Sequence, residues 1–92
     1  MDFGYLERFA AGDQGLVVEV LNLFREQAVE IEAALAGDAP AMALHTLKGS
    51  ARGIGATALG DLCEIAERDG RTASVRAELT RTVADIDRYL AA

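Results

Sequence analysis

Apolar residues recur at spacings of three and four along the chain, which is the period of an amphipathic helix. The longest stripe follows Asp13 and consists of Val17, Val20, Leu21, Phe24, Ala28, Ile31 and Leu35. Three further stripes are Leu44, Leu47, Ala51 and Ile54, then Ala56, Leu59, Leu62, Cys63 and Ala66, and then Val75, Leu79, Val83, Ile86 and Leu90. A short stripe of Phe3, Leu6, Phe9 and Ala10 precedes them all. No segment alternates apolar and polar residues as a strand does, so the pattern predicts helices throughout.

Turn-forming and capping residues separate the stripes. Gly37 and Gly70 each close a stripe, and Asp13 and Asp38 are predicted to be N-caps of the helices that follow them. Short connections between long helices favour antiparallel neighbours. We therefore predict an all-α fold, an antiparallel up-down four-helix bundle with a short N-terminal cap helix. Residues 1–92 are expected to form a single domain.

The charge balance excludes several classes of partner. The 92 residues include 9 lysines and arginines against 15 aspartates and glutamates, a net charge of −6 at pH 7. Binding to nucleic acid or to anionic lipid needs a clustered excess of cations, which this chain lacks. A single cysteine and a single histidine cannot form a disulfide framework or a closed zinc site. No apolar run suits a membrane span and no signal-peptide pattern is present, so we expect a cytoplasmic domain.

The only histidine lies on the third predicted helix, away from that helix's core side. At about 100° per residue, Leu47 on the core side lies about 200° from His45. Lys48, Gly49 and Arg52 lie on the same side of the helix as His45, each within about 60° of it. We therefore expect the imidazole to point into solvent beside two cations, which is a local inversion of charge in an acidic chain.

Gly49 is unusual inside a helix, where glycine costs roughly 0.5–1 kcal/mol relative to alanine. Helical side chains lean towards the N-terminus, so a side chain here would cover the imidazole of His45. A bare position lets another protein bring its own active site up to the ring. We interpret Gly49 as an access position and Lys48 as a cation that meets an anion on the ring. Arg52 is a second candidate cation, one turn further along.

The segment His45-Thr46-Leu47-Lys48-Gly49-Ser50-Ala51, with Gly55, Ala56 and Leu59, fits the pattern H-x-L-K-G-S-[SA]-x-x-x-G-A-x-x-L. This pattern resembles that of the histidine-containing phosphotransfer (HPt) domain family. Further residues that look like the family are Gly12, Asp13, Leu16 and Phe24 upstream and Cys63 and Glu67 downstream. The resemblance covers essentially the whole chain, and Arg52 falls in the variable stretch of the motif.

The resemblance implies a phosphorelay function. His45 would accept a phosphoryl group from an aspartyl phosphate on a response-regulator receiver domain and pass it to another receiver domain. Lys48 would stabilise the phosphorylated ring, Gly49 would leave the approach open, and Gly55 with Ala56 would form the turn into the next helix. The implied partners are receiver domains, a hybrid sensor kinase, or both. The receiver would bring the Mg²⁺ ion, so the chain itself is expected to bind no cofactor.

Three other interpretations remain open. A degenerate adaptor would bind receivers without transfer, but the replaced histidine that marks such proteins is missing. The dimerisation bundle of a sensor kinase would carry an acidic residue after the histidine, whereas Thr46 follows His45. A purely structural bundle would leave the face around His45 unexplained. Because no Walker A sequence is present, we predict a phosphocarrier without kinase activity rather than an enzyme. We also expect a monomer, because the four long stripes suffice to close one bundle on themselves.

The other conspicuous residues have structural interpretations. Ser50 lies at the boundary of the core, and Cys63 is expected to be a small buried hydrophobe. We also expect four large apolar residues in the core, namely Phe3, Phe9, Phe24 and Met42. The charges at the end of the fourth stripe are interpreted as ordinary helix-surface charges, and they belong to Glu64, Glu67, Arg68 and Arg71.

Overall fold

The computed structural model describes residues 1–92 and contains five α-helices and no strand, which confirms the predicted all-α class. The helices are α1 (Phe3–Phe9), α2 (Gln14–Leu35), α3 (Ala41–Gly53), α4 (Thr57–Asp69) and α5 (Ala73–Ala91). Short turns connect them. None of the helices has both the length and the apolar character that crossing a membrane requires.

The apolar stripes of all five helices meet in one hydrophobic core. Side chains with no exposed surface come from four of the helices and include Leu21, Leu47, Cys63 and Ile86. Full burial of a large aliphatic side chain contributes roughly 1.5–3 kcal/mol, so these stripes supply the main driving force for folding. The helical period therefore predicted the inward face of each long helix.

Two of the four large residues predicted in the core lie outside it. Phe24 is buried and Phe3 is partly buried, as expected. Phe9 and Met42 are 75% and 76% exposed, so the prediction was wrong for both. Phe9 is the last residue of α1, and the buried Ala10 takes the inward position beside it. Met42 lies in the first turn of α3, on the solvent side of the helix.

The helix ends follow from local backbone chemistry. Asp13 is the N-cap of α2 as predicted, and its carboxylate accepts a hydrogen bond from the backbone N–H of Leu16 at 3.0 Å. Asp38 is not the N-cap of α3, because Pro40 occupies that position and no side chain caps this end. The prediction failed because the residue before a proline, here Ala39, is disfavoured in the helical region. The helix therefore begins too far along for the carboxylate of Asp38 to cap it.

Each of the four long helices packs against two of the others. Helices α2 and α4 both contact α3 and α5, and α3 packs most extensively against α4. The first residues of the chain lie on the turn between α3 and α4, where the N–H of Asp2 donates to the carbonyl of Gly55 at 3.3 Å. Gly55 has a φ of 87°, and a Cβ there would lie 2.7 Å from the carbonyl oxygen of Asp2. This turn therefore requires glycine.

Candidate functional site

His45 lies in the second turn of α3 and its side chain projects into solvent, with 70% of its surface exposed. The core side of the same helix is formed by Leu44, Leu47 and Ala51, all of which are buried. Because these residues fix the rotation of α3 about its own axis, they also fix the imidazole on the outside. The exposure that the helical wheel predicts for His45 is therefore present.

A carboxylate from the neighbouring helix lies against the imidazole. Glu67, in the last turn of α4, places Oε2 3.6 Å from Nδ1 of His45, which is an electrostatic contact too long for a strong hydrogen bond. Its other oxygen, Oε1, lies 2.8 Å from Nζ of Lys48. The hydrogen bond from Lys48 lowers the pKa of Glu67 below its ordinary value of 4.5, and the charge of Lys48 acts in the same direction. One carboxylate thus contacts both the candidate nucleophile and the candidate cation.

Lys48 is held more tightly than an ordinary surface lysine. Only 22% of its side chain is exposed, and its ammonium is occupied by Glu67. Most of the stem is therefore covered by neighbouring residues, while the charged end pairs with the same carboxylate that faces the ring of His45. The structure brings together the two residues that the sequence motif predicted and adds a third from another helix.

The sequence pattern alone did not place Glu67 in this site. Glu67 belongs to the residues that look like the HPt family, but its charge alone indicates only an ordinary helix surface. A helical wheel relates positions within one helix only, so it cannot say which residue of α4 faces α3. Glu67 could have been found from the charges of α3 and α4 considered together. A half-buried lysine such as Lys48 needs a carboxylate partner, and the acidic residues of α4 are the candidates for it.

Two glycines on the solvent side of α3 have no packing reason to be glycine. A Cβ built at Gly49 or at Gly53 would meet no atom within 4 Å outside its own stretch of helix. Neither residue has a positive φ, so the backbone does not require glycine either. The surface next to His45 is therefore bare on the side of Gly49, as the access interpretation requires.

Arg52 belongs to a separate ionic cluster. Its guanidinium lies 3.4 Å from Oδ1 of Asp61 and 3.5 Å from Oε2 of Glu64, both on α4. Its aliphatic stem covers Gly60, where a Cβ would come within 2.7 Å of Cγ of Arg52. No ion pair joins Arg52 to Glu67. The structure thus gives Arg52 a role in linking α3 to α4 and does not bring it together with the other candidate residues.

Cys63 takes no part in the surface chemistry of this face. Its side chain has no exposed surface, and burial raises the pKa of its thiol to about 11. A thiol that stays protonated is a poor nucleophile, so Cys63 packs as the small hydrophobe that the sequence predicts. Ser50 is half-buried at the edge of α3, which fits its structural interpretation.

This geometry would suit His45 to the role of a nucleophile that meets a large partner. A carboxylate beside Nδ1 favours the tautomer with the proton on that nitrogen, which leaves the lone pair on Nε2 free. Lys48 pairs with the same carboxylate that faces the ring, and the helix surface at Gly49 is bare. Such an arrangement suits group transfer to nitrogen from a donor that carries its own catalytic groups.

Comparisons with known proteins agree with this chemistry. The family model described as the Hpt domain matches residues 15–92. No curated protein sequence gives a significant match. Among solved structures, the crystal structure of the histidine phosphotransferase ShpA from Caulobacter crescentus is similar to this chain, with a TM-score of 0.90 and 47% sequence identity over 97% of this chain and 88% of that one. Because the family model spans well over half of the residues, this chain belongs to the family of histidine-containing phosphotransfer (HPt) domains.

Proposed function

We propose that this chain is a phosphorelay intermediate in two-component signalling. His45 accepts a phosphoryl group from an aspartyl phosphate on one receiver domain and passes it to another receiver domain. The observation that carries the proposal is the shared carboxylate of Glu67, which holds Lys48 and faces the exposed ring of His45 beside the bare position of Gly49. Membership of the HPt family gives that geometry its reaction class.

The transfer step follows from the contacts of the imidazole. Nε2 of His45 attacks the phosphorus, and the N–P bond forms as the P–O bond to the receiver's aspartate breaks. The aspartate leaves as a carboxylate, and no proton need move during the exchange. The ring, which carries its proton on Nδ1, becomes positively charged, and the Glu67 carboxylate offsets that charge. Transfer to the second receiver is the reverse of this step.

Lys48 has a role on the product side of the reaction. Phosphoryl transfer passes through a loose transition state in which positioning and charge compensation matter most. The phosphoryl group brings negative charge to the ring, where it competes with Glu67 for the ammonium of Lys48. Lys48 therefore stabilises phosphorylated His45, while Gly49 leaves room for the receiver. The receiver partner brings the Mg²⁺ ion and its own catalytic groups, so this chain needs no cofactor.

The proposal describes a phosphocarrier without autonomous kinase activity. Its partners are receiver domains, a hybrid sensor kinase, or both, and it has no role in binding nucleic acid or membranes. A cytoplasmic location, a monomeric state and a single domain over residues 1–92 are parts of the same proposal. Arg52 could add to the charge around the ring only by leaving its carboxylate partners on α4, so the proposal does not depend on it.

We also propose that the long helices form the antiparallel up-down four-helix bundle that the sequence predicts. The ion pairs between neighbouring helices support this arrangement, because the residue numbers of the partners rise along one helix as they fall along the other. Lys48 meets Glu67 and Arg52 meets Asp61 between α3 and α4. Between α2 and α5 the pairs are Arg25 with Asp87 and Glu32 with Arg76.

The acceptor is tested by replacing His45 with glutamine. A phosphorylated receiver domain with Mg²⁺ should label the wild-type chain with one acid-labile, base-stable phosphate, and His45→Gln should abolish the label. The ring faces water, so the helical circular dichroism of His45→Gln should match that of the wild type. The measurement is transfer of radioactive phosphate across a panel of receiver domains from the same genome.

The same experiment separates the alternatives. Incubation with ATP and Mg²⁺ in the absence of a receiver should give no label, because the sequence contains no Walker A motif that would bind the nucleotide. Label on the His45→Gln protein would refute His45 as the acceptor. Binding of a receiver without any transfer to the wild type would favour the adaptor instead.

A further inference from the structure

A groove runs between α2 and α3 on the side of α3 that faces away from α4. It encloses ≈ 580 Å³ and is lined by residues of both helices and of the turn that follows α3. Its lining includes Leu23, Glu26, Gln27 and Glu30 of α2, and Ser50 and Gly53 of α3. Gly53 lies one turn after Gly49, so the groove continues the bare surface that begins beside His45.

The groove has an apolar side wall and a low floor. Leu23 is 57% exposed, although a large aliphatic side chain gains free energy from burial. The floor is low because a Cβ at Gly53 would stand in open space. Gly53 is not one of the fixed positions of the HPt sequence motif, and neither the backbone nor the packing of this chain demands it. A closely approaching partner accounts both for the missing side chain and for the exposed leucine.

The charge beside the groove is negative and uncompensated. Glu26 and Glu30 are exposed, and neither forms an ion pair or a side-chain hydrogen bond. Lys48 and Arg52, the cations of α3, are instead occupied by carboxylates of α4. An apolar groove with unpaired carboxylates at its rim is complementary to an apolar surface that carries lysine or arginine.

We propose that this groove selects the receiver partners of the chain, and that it favours receivers that place an apolar side chain against Leu23 and a lysine or arginine against Glu26 and Glu30. The inference rests on the proposed function, and it adds the residues that choose among receivers. A second copy of this chain fits less well, because two such grooves brought face to face would oppose carboxylates to carboxylates.

The carboxylates at the rim act on encounter and on orientation. Charges at the rim of an interface change the association rate and its dependence on salt more than they change the chemical step. Glu26→Lys and Glu30→Lys should therefore each raise the KM for a phosphorylated receiver by about three- to tenfold, with kcat nearly unchanged. The loss should shrink as the salt concentration rises, since the screening length falls to a few ångströms at about 1 M salt.

The test uses the receiver domain that phosphorylates the wild-type chain fastest in the genome-wide panel. A matched control is Ala77→Lys combined with Ala91→Lys, which changes the net charge by the same two units at exposed positions of α5. This control should transfer like the wild type. Labelling of His45 by phosphoramidate should be equal in all these proteins, because a small donor does not use the groove. Gly53→Gln places a side chain on the floor of the groove, so it should reduce the rate of transfer from the receiver. The melting temperature should hold or rise, because glutamine is a better helix former than glycine.

A charge exchange gives the strongest support for the proposal. Replacing the partner's complementary lysine or arginine by glutamate should restore transfer to Glu30→Lys. Equal KM values for the wild type, Glu26→Lys and Glu30→Lys would overturn the groove proposal while leaving the phosphorelay function intact. Concentration-dependent dimers that Glu30→Lys abolishes would assign the groove to a second copy instead. If no receiver labels the wild type at all, the proposed function itself fails.

Discussion

At the scale of single residues, the unusual feature of this chain is that one carboxylate, that of Glu67, contacts both His45 and Lys48. A histidine exposed on a helix has many rotamers and no fixed tautomer, which makes it a poor nucleophile for a precisely aligned transfer. Glu67 supplies a direction for Nδ1 of His45 and a fixed position for the ammonium of Lys48. In the proposed transfer, Nε2 would be the reacting nitrogen, and it would be oriented by a residue that does not itself contact the phosphoryl group.

The lowered pKa of Glu67 gives a test of this contact that does not involve activity. Lys48 stabilises the ionised form of Glu67 in the folded state, so folding gains stability at pH values above the ordinary pKa of 4.5. That gain is lost as the pH falls through the lower pKa of the folded state. Thermal melts of the wild type and of Glu67→Gln should therefore differ near neutral pH and converge as the pH falls below 4.5 and through the lowered pKa of the folded state.

A second exposed carboxylate on the same helix serves as the control for that comparison. Glu64→Gln removes a charge that faces Arg52 rather than Lys48. Its effect on the melting temperature should be small, because ion pairs at the surface contribute little. A difference between wild type and Glu67→Gln that persists unchanged in acid would show that Lys48 does not hold the ionised carboxylate in solution.

The residues of the site differ in how far the sequence predicts them. His45, Lys48 and Gly49 share one helix, so the helical period fixes their mutual placement before any tertiary structure is known. Glu67 enters from α4, and its contact depends on the rotation and register of a second helix. The sequence pattern of α3 likewise could not show that Arg52 pairs away from the site, because the carboxylates that bind its guanidinium, those of Asp61 and Glu64, also lie on α4.

At the scale of helices, α3 presents three different sides. One side is buried in the core, a second forms ion pairs with α4, and the third carries His45 and the two open glycines. Met42 shows why composition misleads here, because a large apolar residue in the first turn suggests burial while the rotation of α3 exposes it. The stripes predicted which face turns inward, but they did not predict where each large apolar residue at a helix end would lie.

The helix ends illustrate a second limit of sequence reasoning. Asp13 caps α2 as predicted, because a cap is a local contact between a side chain and the next turn. Asp38 fails as a cap because Pro40 shifts the start of α3 past its reach. The capping preference of aspartate therefore predicted the start of α2 correctly. Before α3 this preference conflicted with the effect of Pro40 on the preceding residue, and the proline determined where the helix begins.

Gly49 allows access to be tested separately from folding. Gly49→Ala should raise the stability by roughly 0.5–1 kcal/mol, because alanine is the better helix former and its Cβ meets open space. Gly49→Leu should keep the fold but lower receiver transfer on the order of a hundredfold, because displacing the reacting atoms by about 1 Å has an effect of that size. Labelling by phosphoramidate should fall much less. The measurements are thermal melts and rates of transfer from the two donors.

Gly55→Ala provides the contrasting variant. Its φ is positive and its Cβ would collide with the carbonyl of Asp2, so this variant should lose about 1–3 kcal/mol. If Gly49→Leu destabilises the domain as Gly55→Ala does, then Gly49 is a packing residue. If Gly49→Leu accepts phosphate from the receiver at the wild-type rate, the receiver must dock elsewhere.

At the scale of the whole molecule, the chain is an elongated body of 39 × 19 × 17 Å, and its exposed large apolar residues lie on several helices. Phe9 lies on α1, Ile65 lies on α4, and Leu23 and Val29 lie on α2. On α2 itself, Leu23 and Val29 lie about 120° apart around the helix axis, so they face different sides of that helix. The apolar area left outside the core is therefore divided among separate places.

This distribution predicts a monomer in solution. A stable interface buries about 800 Å² on each partner and usually has a contiguous apolar centre, whereas the exposed large apolar residues of this chain are distributed over four helices. The net charge of −6 adds repulsion between copies. Light scattering across the micromolar range should report a mass near 9.7 kDa that does not rise with concentration.

Raising the salt concentration separates charge repulsion from the lack of an apolar patch as the cause of the monomeric state, because screening removes the repulsion but cannot create an apolar patch. A mass that stays constant in high salt supports the divided surface as the reason. A stable dimer at micromolar concentration would instead favour the dimerisation bundle of a sensor kinase.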